Sequence, residues 1–167
     1  MSRMQALIVV LVITGVGGCL SADTAAPGNT QETSSPAPTT ARSVEFPSKP
    51  ATLTAESVRQ YVESYERAHR KQAVYDEHDA DGTEIKRLVV SLNDVSVEPR
   101  GEHAFLVTLQ YMTGYTTVRG TTRVAHDTRF TARYYVNDST TLRTATVGID
   151  GTGLDPIENG TAVSEGA

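Results

Sequence analysis

From residue 85 onward the chain offers one strand-like segment after another, and no connection between them is long enough to hold a crossover helix. Parallel pairing requires such a crossover, so the strands have to run antiparallel, as a meander. The clearest segment is 103–111, where Phe105, Val107, Leu109 and Tyr111 alternate with Ala104, Leu106, Thr108 and Gln110. Residues 129–136 put Phe130, Ala132, Tyr134 and Val136 on one face, and Asn137-Asp138-Ser139 turns the chain into a strand over 140–147. Residues 85–98 are rich in β-branched side chains, but their apolar phase changes. Leu88, Val90 and Leu92 share one parity and Val95 and Val97 the other, so Asn93-Asp94 marks a bulge or bend. Pro99-Arg100-Gly101 joins this strand to the next, and residues 112–128 are either a long loop or, as Val118 and Val124 favour, a hairpin extension turning at Arg119-Gly120. Four strands are the minimum.

One helix precedes them. Thr54 is placed as its N-cap, Glu56 lies in the first turn, and Leu53 can staple against Val58. Val58, Tyr61, Val62, Tyr65, Ala68 and Ala73 form an apolar stripe, with Glu63 to Arg67 and Glu66 to Arg70 expected as outward i,i+4 pairs. The helix should end between residues 75 and 79, before Gly82. The expected fold class is α+β: one long N-terminal helix covering a face of a four-stranded antiparallel meander. This element order resembles the cystatin or NTF2-like topology over residues 52–147, a likeness that carries no functional residue with it.

The N-terminus reads as an address. Arg3 precedes an apolar run, residues 6–16, which is too short to span a bilayer and gives way to small residues and Cys19. Val16-Gly17-Gly18-Cys19 resembles a lipobox, at which lipoprotein precursors are cut just before a lipid-bearing cysteine. Residues 1–18 are then a signal peptide, and a lipid on Cys19 holds the protein to the membrane. Cys19 is the chain's only cysteine, so no intramolecular disulfide is possible, and lipidation would remove an exposed thiol. Two lipid chains, at about 0.8 kcal/mol per buried methylene, suffice for stable anchoring. No twin arginine precedes the run, which points to general secretory export to the outer face of the cytoplasmic membrane.

Residues 19–51 hold five of the seven prolines among Ser, Thr and Ala, with almost nothing large and apolar. Such a stretch reads as a disordered linker reaching on the order of 30 Å, either O-glycosylated or a plain tether. That leaves roughly 100 residues for a single domain, 52–149, followed by a flexible tail over 150–167. The net charge of −5 becomes one unit more negative once Arg3 leaves with the signal, which argues against a nucleic-acid partner. Three lysines against twelve arginines, beside nine aspartates and eleven glutamates, is a balance similar to haloarchaeal usage. With the lipobox, the stalk, LTAESVRQYVESYERAH and YYVNDSTTLR, the chain resembles haloarchaeal surface lipoproteins. That resemblance implies a location and no reaction.

No nucleophile elbow, paired-carboxylate spacing or HExxH occurs, and no cofactor is expected. The leading expectation is a non-catalytic binding or structural domain. Its rival is an exported NTF2-like enzyme or small-ligand binder with a pocket between helix and sheet. Tyr65, His69, Tyr111, Asp127 and Tyr134 are the groups that could line such a pocket, although tyrosines at these spacings also suit a core and His69 also suits a solvated helix face. Glu77, Asp79 and Asp81 with Gly82 partly match a calcium loop, but the twelfth position from Glu77 is Leu88, so a solvated acidic loop is expected rather than a metal site. Arg119, Arg123, Arg129 and Arg133 could bind an anion, a lipid headgroup or a glycan carboxylate, or pair with acids of the same chain. Asn137-Asp138-Ser139 and Asn159-Gly160-Thr161 match the N-glycosylation sequon at Asn137 and Asn159.

Overall fold

A computed structural model describes residues 42–79, 82–151 and 153–164. The expected signal peptide, Cys19, most of the expected linker and Asp81 lie outside the described residues. Helix α1, Ala55–Asp79, starts where the capping residues put it. The Ser57 amide donates to Thr54 Oγ1 at 3.1 Å and the Thr54 amide to Ser57 Oγ at 2.9 Å, a capping box with serine in the place usually held by Glu or Gln. Val58, Tyr61, Val62, Tyr65, Ala68 and Val74 are buried. Val74 takes the inward place expected of Ala73.

Five strands follow: β1 Glu84–Pro99, β2 Ala104–Arg119, β3 Thr122–Asn137, β4 Thr141–Val147 and β5 Thr161–Ala162. They lie in the order β1-β2-β3-β4-β5, each antiparallel to the next, so the fold is α+β with one helix on an open five-stranded sheet. The expected minimum of four strands gains a fifth. The hairpin extension forms as read, with Arg119 opposite Thr122 and Gly120 at φ +59° in the turn, a conformation glycine adopts without strain. In β1 the register skips Asn93 between Leu92, opposite Tyr111, and Asp94, opposite Gln110. That one extra residue keeps Leu88, Val90 and Leu92 on the same side of the sheet as Val95 and Val97 despite their opposite parity. A second irregularity lies between Ile85 and Arg87. Phe105, Val107, Leu109 and Tyr111 of β2 meet Val136, Tyr134, Ala132 and Phe130 of β3 under the helix.

Both ends of the domain reach further than expected. Residues 42–51, assigned to the linker on composition, run back along α1: the Val44 amide donates to Gln72 Oε1 at 3.0 Å, and the Phe46 ring sits 5.2 Å from that of Tyr65. Residues 148–151 and 153–154, all but the first two of which fall in the expected flexible tail of 150–167, lie across the far face of the sheet. There Thr131 Oγ1 donates to the Gly148 carbonyl at 3.0 Å and Arg133 Nη1 to the Leu154 carbonyl at 2.6 Å. Asp155 then caps a single turn, α2 (Pro156–Asn159), by accepting from the Ile157 amide, and β5 pairs with β4. Gly160 links the two. Its amide donates to the Pro156 carbonyl at 3.1 Å, and a Cβ there would run into that same carbonyl. Gly160→Ala is therefore expected to cost about 1–3 kcal/mol, seen as a lower urea midpoint at unchanged slope.

Candidate functional site

The centre of the helix–sheet interface is charged. Glu66 is 0% exposed, although its side chain continues the line of Val58 and Val62 down the helix. Arg143 of β4 meets it with two parallel bonds, Nε to Oε2 at 2.8 Å and Nη2 to Oε1 at 2.7 Å. The Tyr134 hydroxyl donates to Glu66 Oε2, accepts from Arg143 Nε at 3.1 Å, and Tyr111 adds a further hydrogen bond to the carboxylate. A buried carboxylate left without partners would be costly, and here a bidentate guanidinium and two phenols satisfy it. The expected outward pair of Glu66 with Arg70 does not form, because Glu66 turns inward. On the outer face Arg59 pairs with Glu63 at 2.8 Å.

These contacts set the ionisation of the group. Burial pushes the Glu66 carboxyl up, but the hydrogen bonds and charge of Arg143, with Tyr111 and Tyr134, outweigh it and hold the carboxyl below its ordinary 4.5. Burial and the neighbouring Glu66 charge push the Tyr111 and Tyr134 hydroxyls well above 10, so both stay protonated as donors. Burial, reinforced by Arg143, holds His69 below 6.5, so its ring is neutral near pH 7.

Two adjoining clefts open beside this cluster, between α1 and β4. One, of about 220 Å³, is lined by His69, Arg70, Tyr111, Phe130 and Arg143. The other, of about 390 Å³, lies towards β5 and shares His69, Arg143 and Ala145, with Tyr65 and Asn159 on its wall. Tyr65 stacks on His69 at 6.0 Å and meets Tyr134 edge-on at 6.2 Å. The structure thus brings together four of the five pocket residues expected from sequence: Tyr65, His69, Tyr111 and Tyr134. Asp127 is not among them. It pairs across the ladder with Gly114 on the far face, beside a hollow of about 350 Å³ with Arg87 and Met112. That hollow contains no buried charged group, so the helix side is the better candidate. Glu66, Arg143, Arg70 and Phe130 are the members sequence reading missed. Glu66 carried a sequence signal, an acid in phase with Val58 and Val62, whereas the place of Arg143 opposite Tyr134 emerges only with the β3–β4 register.

The remaining candidates are scattered. Glu77 and Asp79 are exposed at the end of α1, and among the described residues no three His, Cys, Asp or Glu side chains converge as a metal would need. Arg123, Arg129 and Arg133 alternate along β3 on the far face, and Arg119 stands at the hairpin end, so the four form no common patch. The Asn137 amide oxygen accepts from the Ser139 and Thr140 amides and closes a turn, while Asn159 is exposed at the end of α2. A second aromatic group joins the end of α1 to the hairpin, where Tyr115 stacks on His126 at 4.5 Å and its hydroxyl stands 3.5 Å from His78 Nε2. The chain matches no family model, no curated protein and no solved structure.

Glu66→Leu strands Arg143 in the interface. Because the Arg143 side chain remains 18% exposed, a loss near the low end of the usual range, about 3 kcal/mol, is expected. Glu66→Leu combined with Arg143→Met should recover most of it, as read from urea midpoints of the single and double variants. Acid should remove stability in two windows. His69 contributes as pH falls from 6.5 through its lower folded value, and Glu66 as pH falls from 4.5 through its own. An NMR titration should give His69 a midpoint below 6.5, and Glu66→Leu should flatten the loss below pH 4.5.

Proposed function

We propose that this is an exported protein, anchored through a lipid on Cys19 to the outer face of the cytoplasmic membrane, whose domain binds a small ligand without transforming it. The observation that carries the binding reading is the saturated Glu66. Acid–base catalysis needs two titratable groups whose environments separate their pKa values within reach of one substrate. Beside these clefts His69 is neutral, but the neighbouring carboxylate is held ionised by Arg143 and fully hydrogen-bonded. What the arrangement offers is a rigid, polar-edged cleft with an aromatic floor, the usual make-up of a binding site.

A helix ahead of a bulged antiparallel meander supports the likeness to cystatin or NTF2-like proteins, and a cleft between helix and sheet fits the NTF2-like arrangement. The haloarchaeal resemblance fits the Arg-over-Lys balance and acidic charge. Among the described residues no helix is long and apolar enough to cross a membrane; in this reading attachment falls to the lipid. Cys19→Ser is expected to release the protein from membranes or to leave it as unprocessed precursor. Unchanged processing and membrane retention would refute the anchor. Native mass spectrometry of the protein from its own host should show a retained small molecule.

A further inference from the structure

The smaller cleft is specific about the ligand it can take. Its floor is the Phe130 ring, stacked on Tyr111 at 5.2 Å, and Ala73, Ala145 and Val147 form apolar walls. Val147 is 70% exposed at the edge, where a partly immersed apolar molecule would cover it. Over the floor lies Arg70, its guanidinium carbon 4.5 Å from the Phe130 centroid and its Nε donating to Thr113 Oγ1 at 3.3 Å. These two contacts fix the fork, so little side-chain freedom remains to be lost on binding. Among the described residues Arg70 makes no ion pair with a carboxylate. Arg143, on the opposite wall, is already neutralised by Glu66.

The charge count of the cleft is thus one uncompensated cation. A dianion such as phosphate would be only half neutralised, and a cation would be repelled. The volume of about 220 Å³ lies below the roughly 300 Å³ at which drug-sized pockets begin. We propose that this cleft binds a small organic monocarboxylate, its acid group held by Arg70 at the Arg143 edge and its apolar or aromatic body against Ala145 and Val147, beside the Phe130 ring that Arg70 covers. This rests on the reading of the domain as a binding module and names its ligand class.

The test is titration of benzoate, with neutral benzamide as control, into the isotope-labelled full chain in detergent, followed by NMR. Benzoate should saturate with shifts at Arg70, Phe130 and His69, and benzamide should bind at least about tenfold more weakly. Arg70→Gln should lower benzoate affinity roughly ten- to hundredfold, the loss expected when a charged hydrogen-bond partner goes. Arg129→Gln, on the far face, should leave it unchanged. Val147→Glu, at the exposed end of β4, should weaken benzoate by repulsion and spare benzamide. Equal binding of benzoate and benzamide, or an Arg70→Gln variant that binds benzoate as the parent does, overturns the carboxylate assignment. If native mass spectrometry then shows a retained neutral molecule, only the ligand class falls; if it shows none and benzoate gives no shift, the binding reading falls with it.

Discussion

The bond between Glu66 and Arg143 is the constraint on which the rest of this domain depends. The residues are 77 positions apart, one on the first element and the other on the strand next to the last. Apolar burial draws the helix onto the sheet but is non-directional, and many rotations of an amphipathic helix would bury similar area. A two-point bond between a carboxylate and a guanidinium has one good geometry. It fixes which helix face and which strand parity meet. Tyr134 and Tyr111 extend that constraint to β3 and β2, so four elements share one polar centre.

The same centre shapes the clefts beside it. Arg143 is held flat against Glu66 and Tyr134, which leaves its outer edge as a fixed wall. His69, one helical turn from Tyr65 and stacked on it, supplies a neutral polar group in place of a second cation. Arg70 is held over the Phe130 ring. Within one turn of the helix, then, Glu66 points into the interface while His69 and Arg70 line the cleft.

Much of the architecture was legible in the chain, because period-two and helical patterns reflect burial directly. The phase change at Asn93-Asp94 located the bulge, Arg119-Gly120 located the hairpin turn, and Thr54 located the start of the helix. What failed did so for one reason: composition is a proxy for burial and ignores pairing. Glu66 looked like an outward charge, because a lone glutamate has no place in a core unless a distant partner meets it, and Arg143 cannot be chosen from twelve arginines without the register. Residues 42–51 and the tail from 150 onward looked too polar and too rich in proline and glycine to be organised. They are held by main-chain hydrogen bonds and by two or three well-placed side chains, which hydropathy does not record. Tyr65, His69, Tyr111 and Tyr134 come together on the helix side because tyrosine and histidine at inward positions of the helix and strands face one another across the interface. Asp127 was misplaced by strand parity alone.

The segment before the helix bears on mechanics. It runs opposite to α1, from Arg42 over Tyr75, past Val44 on Gln72 and Phe46 on Tyr65, to the cap at Thr54. A pull arriving from the residues before Arg42 would not load the helix start or the Glu66 bond at once. It would first peel these contacts one after another from the far end of α1, at low force per step, paying out chain before the folded body felt tension. If the chain is tethered through its N-terminus as proposed, these ten residues of laid-down backbone would give up slack before the load reached the domain.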